Sequence, residues 1–387
     1  MTGFAPSKPS KPIVLTILGT RPEVIKLAPV IRQLDLYPDE LTSVVVSTGQ
    51  HRDLIRPMVE LFKIRVNHHL ECMTAGQPLS RLLARCLESL DTIIAEIKPD
   101  LILVQGDTTT ALAGAQAAFH RGIPVGHVEA GLRTNNPMAP FPEEMNRRLV
   151  SRLTNWHFAP TRRNVENLLD EGVEPGTIFH TGNPIVDALQ YIGLVGAPTP
   201  ALRGVLEQTS GYRRITLTTH RRESFGDVLE GNLRVIREFI DANPEYCVVF
   251  PVHPNPVVRQ ATKDIFDAHP RLVCCDPMTY PDFVTLMGES CLLVSDSGGI
   301  QEEAPSLRKP VIVMREQTER PEAVESGFAM LAPTPDDLRE ALRRFALGSA
   351  LPDCDNPFGA GDAGQQIVFA IRDQILRTRP VADEVFA

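Results

Sequence analysis

The chain has 387 residues, of which 43% are hydrophobic, and its 48 acidic residues outnumber 39 lysines and arginines to give a net charge of −9. This length favours two domains of roughly 150 residues or more each. The acidic balance argues against a nucleic-acid surface, and no run of about 18 apolar residues exists to span a membrane. We expect a soluble protein that binds neither nucleic acid nor membrane.

The first 12 residues are rich in proline, serine and lysine and contain no apolar secretory segment. We expect a flexible tail at 1–12 and a cytoplasmic location. Seven cysteines show no CxxC spacing and ten histidines show no HExxH pattern. The sequence therefore predicts no metal site.

Short apolar runs alternate with amphipathic segments of helical length along most of the chain, which is typical of βαβ units. Strands are predicted at 13–18, 44–48, 101–105, 123–129, 156–159, 215–219, 247–252, 271–275, 291–296 and 310–314. The predicted fold class is α/β, with two Rossmann-like doubly wound domains. Glycine, alanine and proline are concentrated at 193–200, which predicts a linker or hinge within 191–210.

Ligands of doubly wound sheets bind beyond the carboxyl ends of the strands, so two facing domains predict a cleft lined by strand-end loops. Polar and charged residues concentrate in six such loops. These loops are 19–26, 106–110, 129–133, 220–224, 253–255 and 295–303. We therefore expect the functional site to lie among them.

The segment SDSGGIQEEAPSL, residues 295–307, follows a predicted strand and opens a predicted helix. Gly298 and Gly299 allow backbone N–H groups to approach an anion, the helix start favours negative charge, and Ser297 can donate its hydroxyl. Glu302 and Glu303 follow about one turn later, where a carboxylate can accept ribose hydroxyls. The segment predicts a site for the diphosphate and ribose of a sugar nucleotide.

The loop after the first strand reads GTRPEVIK. Arg21 and Lys26 at a helix entrance favour contact with an anion, and Pro22 suits the first helical position. An ordinary strand-to-helix turn with solvated charges is the alternative.

Four acidic side chains of the first half are candidates. Asp107 and Glu129 follow predicted strands, and Glu143 and Glu144 follow a proline-flanked loop before a predicted helix. Asp107 either faces the cleft or caps the next helix. Glu129 either serves chemistry or forms a structural salt bridge with Arg133. Of Glu143 and its neighbour Glu144, one is expected to cap a helix and the other to face the cleft. His220 stands beside Arg221 and suits proton donation or stabilisation of a leaving group, unless it is a core histidine.

Several enzyme classes are disfavoured because their motifs are missing. The sequence contains no GxSxG elbow, no GxxxxGK[ST] loop and no GxGxxG fingerprint. Serine hydrolase, P-loop ATPase and dehydrogenase functions are therefore not expected.

The blocks GTRPEVIKLAPV, GDTTT, GHVEAGLRT, PEEMNR, THRRESFG, VHPNP, DSGGIQEEAPSL and TERPEA occur in this order. Together they closely resemble the non-hydrolysing UDP-N-acetylglucosamine 2-epimerases of bacteria, over residues 13 to about 371. The resemblance implies the GT-B fold, a homodimer and no cofactor. It further implies a first domain at 13–190 that carries the catalytic acids and is joined by a C-terminal helix at about 364–378, and a UDP-binding domain at 191–363.

The resemblance also implies roles for individual residues. The family's catalytic positions fall on Asp107, Glu129, Glu143 and His220. Its contacts to UDP fall on Arg21, Lys26, His220, Phe283, Ser297, Gly298, Gly299, Glu303 and Arg320. Residues matching an activator site for a second substrate molecule are Gln50, Gln77, Arg221 and His253, although Asp53 stands where several members carry Gln.

The implied reaction is reversible epimerisation at carbon 2 of UDP-N-acetylglucosamine, which supplies N-acetylmannosamine units for cell-surface polysaccharide. Alternatives remain open at this point: a hydrolysing relative, an epimerase for a modified UDP-sugar, a GT-B glycosyltransferase, or a catalytically silent sensor of sugar nucleotides. The sequence does not choose which acid serves which face of the sugar.

Overall fold

Thirteen strands and fifteen α-helices are assigned within residues 11–219, 226–267, 269–348 and 351–376, the part of the chain that the computed structural model describes. The strands are β1 (Ile13–Leu18), β2 (Thr42–Ser47), β3 (His68–His69), β4 (Leu101–Gln105), β5 (Val125–Val128), β6 (Trp156–Ala159), β7 (Ile178–His180), β8 (Arg213–Thr218), β9 (Tyr246–Pro251), β10 (Leu272–Cys275), β11 (Leu292–Ser295), β12 (Val311–Val313) and β13 (Ala329–Leu331). The helices are α1 (Arg21–Leu34), α2 (Arg52–Leu61), α3 (Leu79–Ile97), α4 (Thr109–His120), α5 (Glu143–Leu153), α6 (Arg162–Asp170), α7 (Pro184–Val195), α8 (Pro200–Gln208), α9 (Asp227–Ala242), α10 (Pro256–Phe266), α11 (Tyr280–Gly288), α12 (Gly298–Ser306), α13 (Pro321–Glu325), α14 (Pro335–Ala346) and α15 (Ala363–Ala370). Most of the predicted N-terminal tail lies outside the described residues.

The chain divides into two compact units. Unit 1 contains the residues up to Ala188 together with those from Gly359 onward, and unit 2 is Leu189–Phe358. Among the described residues, unit 1 has a parallel sheet of order β3-β2-β1-β4-β5-β6-β7, and unit 2 has one of order β10-β9-β8-β11-β12-β13. The predicted α/β class with two doubly wound parallel sheets is confirmed.

The core of unit 1 forms where helices of small side chains cover fully buried strands. All five residues of β4 are buried, as expected for a parallel strand covered on both faces. α4 packs on this sheet through alanines and Gly114, where a Cβ atom would lie 2.9 Å from the Val104 side chain. The glycine therefore allows the helix to approach the strands closely.

α15 packs against α1 of unit 1. A Cβ atom at Gly364 would lie 3.0 Å from the backbone of Pro29, so the absence of a side chain permits this contact. Asp187 on α7 accepts hydrogen bonds from the N–H groups of Ala363 at 3.2 Å and Gly364 at 2.9 Å and so holds the helix start. The last described residues, Ile371–Leu376, continue as a π-helix.

The core of unit 2 is built around the buried faces of β8, β9 and β11, with α9, α10 and α14 packed against them. Phe250 on β9 meets Phe266 on α10 edge to face, with ring centroids 6.3 Å apart. The β8 to β11 pairing is parallel, with Leu292 opposite Ile215. The core thus fixes the two strands whose ends carry the loop residues of this unit.

The predicted strands at 13–18, 101–105 and 156–159 match β1, β4 and β6 in full. The sequence reasoning missed β3, β7 and β13, which have two or three residues and lack the length of apolar run that predicts a strand. Within the predicted linker at 191–210, α7 extends to Val195 and α8 begins at Pro200, so residues 196–199 lie between the two helices. The boundary of unit 2 lies at Leu189, and a hinge in this region stays a prediction. In the described residues, no helix combines the length and apolar character needed to cross a membrane.

Candidate active site

The candidate residues follow strands at the point where each sheet reverses its order. In unit 1 this switch point lies between β1 and β4, and in unit 2 between β8 and β11. Open α/β sheets bind ligands at such points, because the loops diverge there and leave a crevice beyond the strand ends. The loops at 19–21, 106–108 and 296–299 therefore occupy the positions expected of a site.

Gly19 lies where the loop after β1 packs closely on Thr48 and Thr110, so the position has no room for a side chain. A Cβ atom there would lie 2.3 Å from the hydroxyl oxygens of both Thr48 and Thr110. These hydroxyls are 2.9 Å apart, and Thr110 also donates to Gln50 Oε1 at 2.8 Å. Gln50, one of the predicted activator contacts, thus belongs to a polar cluster that joins the ends of β1, β2 and α4.

Asp107 is oriented by α5. Its Oδ2 lies 2.7 Å from Arg147 Nη2 and 2.9 Å from Arg147 Nε, and its backbone carbonyl accepts from Asn146 Nδ2 at 2.8 Å. The cap of α4 is the next residue, Thr108, whose Oγ1 accepts from the N–H of Ala111 at 3.0 Å. The alternative that Asp107 caps the helix is therefore wrong, and its carboxylate, 26% exposed, faces an arginine instead.

Glu129 lies just past β5 in the left-handed backbone region, with φ +64°, a conformation uncommon for a residue with a side chain. Its carboxylate is buried and forms an ion pair with Lys26 and a hydrogen bond with Gln105. Asn183 Nδ2 donates to the same carboxylate at 3.3 Å. A strained, buried and multiply hydrogen-bonded carboxylate at a strand end is a candidate for chemistry.

The alternative pairing of Glu129 with Arg133 is wrong. Arg133 instead donates to both carboxylate oxygens of Glu171, at 2.7 and 2.8 Å, and to Ser151 Oγ at 2.9 Å. The cation that faces Glu129 is Lys26, whose side chain is only 8% exposed. The predicted contact of Lys26 with UDP therefore stays a prediction, and its observed partner is a carboxylate.

Glu143 and Glu144 open α5 and differ in burial. Glu144 is fully buried and accepts from the backbone N–H of Thr134 at 3.0 Å, from Arg147 at 3.1 Å and from Arg148 at 3.1 Å. It thus fixes the loop before the helix and the arginine that faces Asp107. Glu143, the first residue of the helix, is partly exposed, as expected for the acid assigned to chemistry.

Glu23 is a buried acid that the sequence reasoning did not single out. Its carboxylate accepts from the backbone N–H groups of Gly19 at 2.9 Å and Thr20 at 2.6 Å, and from the hydroxyl of Thr108 at 2.6 Å. Burial raises the pKa of Glu23 to about 7, although these hydrogen bonds partly offset the effect. The T-x-x-E pattern at Thr20 to Glu23 is the signal that could have found it.

In unit 2, Ser297 caps α12 with an extended backbone, and its N–H donates to Ser295 Oγ at 2.9 Å. α1 begins with Arg21, and Pro22 stands at its second position instead of the predicted first. The starts of both helices present backbone N–H groups, which favour an anion. Arg21 is exposed at the start of α1.

Arg320 lies directly over the start of α12. A Cβ atom at Gly298 would be 2.7 Å from Arg320 Nη1, whereas one at Gly299 would come no closer than 3.8 Å to Ser297 Oγ. Arg320 Nε donates to Glu302 at 2.6 Å and its Nη1 to Glu319 at 3.1 Å. Two carboxylates thus hold the guanidinium against a glycine at a helix start, where it adds positive charge.

Glu319 is shared between two arginines. Arg315 Nη1 donates to Glu319 Oε2 at 2.9 Å, in addition to the bond from Arg320. Burial alone would raise the pKa of Glu319, but the positive charges of Arg320 and Arg315 more than offset this and hold the pKa well below its usual range. The carboxylate therefore stays ionised and keeps both guanidinium groups in place.

Glu303, predicted to bind ribose, is buried and accepts a 2.6 Å hydrogen bond from the hydroxyl of Tyr280. Tyr280 begins α11, and Phe283, predicted to contact UDP, lies one turn later and is partly buried. Residues three apart share a helix face. α11 therefore places an aromatic ring and the partner of Glu303 on one side.

Two predicted residues, His220 and Arg221, lie outside the described residues. His253 is exposed, and its Nδ1 accepts from the N–H of Asn255 at 3.2 Å. Gln77 Nε2 donates to the carbonyl of Cys72 at 3.0 Å.

Residues that support the candidate side chains were mostly missed from sequence. Gln105, Asn183 and Tyr280 approach their partners only in the tertiary structure, because 24, 54 and 23 residues separate each from the carboxylate it contacts. No local pattern marks them.

Known proteins match this chain over nearly its full length. The model of the UDP-N-acetylglucosamine 2-epimerase family matches residues 35–372. The chain belongs to this family. The UDP-N-acetylglucosamine 2-epimerase of Yersinia pestis is 43% identical over 93% of this chain and 98% of its own length, and that of Bacillus subtilis is 42% identical over 92% and 93%.

Solved structures of epimerases agree with the fold. The Neisseria meningitidis UDP-GlcNAc 2-epimerase bound to UDP-GlcNAc superposes with a TM-score of 0.85 at 39% identity, covering 93% of this chain and 99% of the other. The Methanocaldococcus jannaschii enzyme in complex with UDP-GlcNAc and UDP gives 0.79 at 32% identity, with the same coverage. The GT-B type of fold expected from the motifs is confirmed for this member of the epimerase family.

Proposed function

We propose that this chain catalyses the reversible epimerisation of UDP-N-acetylglucosamine to UDP-N-acetylmannosamine, without net hydrolysis. The observation that carries the proposal is the pair of acids on adjacent strand ends of unit 1, each with its own cation. Asp107 follows β4 and faces Arg147, and Glu129 follows β5 and faces Lys26. Each carboxylate is thus held in a fixed orientation at a strand end, as the group that takes a proton from carbon 2 requires.

The chemistry requires more than one proton carrier. The hydrogen on carbon 2 becomes acidic only as the bond between carbon 1 and the UDP oxygen breaks and that electron pair leaves with UDP. A carboxylate then takes the proton, a double bond forms between carbons 1 and 2, and the products are 2-acetamidoglucal and UDP. Return of a proton to the opposite face and re-addition of UDP give the epimer, so two faces must be served.

We assign the proton chemistry to Asp107, Glu129 and Glu143 of unit 1, together with His220. The support is the cation-paired, strand-end setting of the first two acids and the location of all four residues in motifs that resemble those of the family, within the range 35–372 that the family model matches. The reaction transfers no hydride and no net water, so no cofactor is required.

We assign UDP binding chiefly to unit 2. Negative charge grows on UDP as it leaves, and preorganised donors stabilise such charge. The start of α12 with Ser297, Gly298 and Gly299, and the guanidinium of Arg320, supply donors for the diphosphate. Glu303 is assigned to the ribose and Phe283 to the uracil. Arg21 is assigned to the diphosphate from the start of α1, with Lys26 and His220 as further contacts.

Membership of the family also supports three broader proposals. The chain acts as a homodimer, works in the cytoplasm and supplies N-acetylmannosamine units for cell-surface polysaccharide. Gln50, Gln77, Arg221 and His253 are proposed to contact a second, activating substrate molecule. Light scattering tests the dimer, and a sigmoidal dependence of rate on substrate concentration tests the activation.

Incubation with UDP-N-acetylglucosamine in deuterium oxide, followed by proton NMR, tests the reaction. We expect both UDP-linked epimers to accumulate with deuterium at carbon 2. Free N-acetylmannosamine as the main product would instead identify a hydrolysing enzyme. Turnover that requires an added sugar acceptor would identify a glycosyltransferase, and UDP-sugar binding without any product would identify a sensor.

A further inference from the structure

Glu23 does more than cap a helix. A capping box needs one bond from the side chain at the third helical position to the N–H of the cap residue. Glu23 makes that bond to Thr20, at 2.6 Å, and adds one to the N–H of Gly19 at 2.9 Å. Its other oxygen accepts from the hydroxyl of Thr108, 85 residues away, at 2.6 Å.

Thr108 connects Glu23 to a second helix. While its hydroxyl donates to Glu23, the same oxygen accepts from the N–H of Ala111 and so caps α4. β1 and β4, which precede these two loops, are neighbours in the sheet. One hydroxyl therefore joins the starts of α1 and α4 across the switch point of unit 1.

Asp107 precedes Thr108 directly and is constrained on its other side by α5. Arg147 holds its carboxylate and Asn146 holds its carbonyl. Neither contact fixes Asp107 relative to α1, whose first residue is Arg21. The bond from Thr108 to Glu23 adds a direct constraint between Asp107 and α1, beside the packing of Gly19 on Thr110.

We infer that the Glu23–Thr108 pair positions Asp107 for proton transfer. The inference rests on the proposed function, because it takes Asp107 as a proton carrier. A shift of about 1 Å in a reacting group can lower a rate about 100-fold, so a hydrogen bond that fixes the loop of Asp107 affects the chemical step.

The burial of Glu23 supports this role, because capping alone does not require it. The chain contains a second capping box, at the start of α14, in which Thr334 donates to Asp337 at 2.5 Å. That box is exposed, and its acid accepts from the N–H and the hydroxyl of its own cap residue, Thr334. Glu23 is instead fully buried, and burial raises the free energy of an ionised carboxylate. It also accepts a hydrogen bond from a loop that is distant in sequence.

The test compares Thr108→Val with Thr108→Ser. Valine keeps the shape but removes the hydroxyl, whereas serine keeps both the donor and the capping acceptor. We expect Thr108→Val to lower kcat about 10-fold to 100-fold, with KM and the Kd for UDP within about threefold of the wild type. Thr108→Ser should keep kcat near the wild-type value. In Thr108→Val, deuterium exchange at carbon 2 should slow by the same factor as kcat.

Thr334→Val is the matched control, since it removes the equivalent hydroxyl from an exposed capping box in unit 2. It should leave kcat unchanged. Melting curves establish that each variant is folded at the assay temperature. If Thr108→Val does not fold, Thr108→Gly is the second variant. Glycine is tolerated at a helix N-cap but has no side-chain donor for Glu23, so the same loss of kcat is expected.

Asp107→Asn in the same assay separates the positioning inference from the proposed role of Asp107 as a proton carrier. If Asp107→Asn is inactive while folded Thr108→Val turns over like the wild type, the positioning inference is overturned and the proposed function stands. If Asp107→Asn turns over normally, the assignment of Asp107 fails and the inference fails with it. Loss of kcat in Thr334→Val equal to that in Thr108→Val would also overturn the inference.

Discussion

Each parallel sheet has a hydrogen bond from a threonine to a carboxylate across its switch point. In unit 1 Thr108 donates to Glu23 at 2.6 Å, and in unit 2 Thr219 donates to Asp296 at 2.9 Å. The surrounding charges differ. Unit 1 places Asp107 beside Arg147 and Glu129 beside Lys26, whereas Glu302 and Glu319 of unit 2 hold Arg320 over a helix start.

The difference shows how one topology can serve two tasks. A carboxylate that exchanges a proton with the substrate must be held in a fixed orientation and must still be able to gain and lose that proton. Acids that hold arginines need to stay ionised, and Arg315 and Arg320 ensure this by holding the pKa of Glu319 well below its usual range, against the effect of burial. Changes in unit 1 should therefore alter turnover, and changes in unit 2 should alter affinity for UDP.

The largest expected effect is that of Asp107→Asn. Because an amide cannot accept the proton from carbon 2, we expect kcat to fall about 1000-fold or more, while the Kd for UDP stays within about threefold. Proton NMR of the epimers and calorimetry of UDP binding measure the two quantities. Asp170→Asn, an exposed acid at the end of α6, is the control. A weakened Kd with unchanged kcat would contradict the division of tasks.

The next effect concerns stability and pH. Burial raises the pKa of Glu23 from 4.5 to about 7, so the folded state favours the neutral carboxyl. The neutral carboxyl therefore contributes to the free energy of unfolding. This contribution is fully present below about pH 4.5 and is lost as the pH rises through about 7, and it amounts to about 3 kcal/mol at most. Glu23→Gln removes this loss, so relative to the wild type it should gain stability between pH 5 and pH 8 in urea unfolding.

Glu319→Gln provides the contrast from unit 2. Its carboxylate is ionised across this pH range because Arg320 and Arg315 hold its pKa low despite burial. Removing the charge should destabilise the protein by an amount that does not change between pH 5 and pH 8. A pH-dependent effect in Glu319→Gln, or a pH-independent one in Glu23→Gln, would contradict the electrostatic distinction.

A smaller effect is expected for Gly298→Ala. The new methyl group would lie 2.7 Å from Arg320 Nη1, and Glu302 and Glu319 restrain the guanidinium from moving away. We expect the Kd for UDP to rise about 10-fold, comparable to the loss of one charge-assisted hydrogen bond, with kcat at saturation little changed. Gly299→Ala has more room, 3.8 Å to Ser297 Oγ, and should shift the Kd less than about threefold.

The smallest effect is that of Tyr280→Phe. It removes the 2.6 Å hydrogen bond to Glu303 and leaves the carboxylate less firmly oriented. The Kd for UDP should rise about fivefold, near 1 kcal/mol, with kcat unchanged. The matched control is Tyr246→Phe, because the buried Tyr246 hydroxyl has no hydrogen-bond partner in the described part of the chain. Equal effects of the two substitutions would show that Glu303 does not depend on Tyr280.

The sequence by itself determined the α/β class, most of the strands and the loops that carry the candidate residues. Apolar runs such as LILVQ identify buried parallel strands, and the ends of those strands must meet at one edge of a sheet. Motifs such as SDSGGIQEE also carry local chemistry that depends only on neighbouring residues. The family followed from the order of these motifs.

Only the tertiary structure decided the partners of each acid. Arg133 follows Glu129 by four residues, and the sequence offered it as a partner, yet Lys26, 103 residues away, forms the ion pair. The sequence offered Asp107 as the cap of α4, but the cap is Thr108. The hydroxyl of Thr108 also donates to Glu23 across the switch point. Such partnerships arise from strand order and side-chain packing between segments distant in sequence, and local spacing does not encode them.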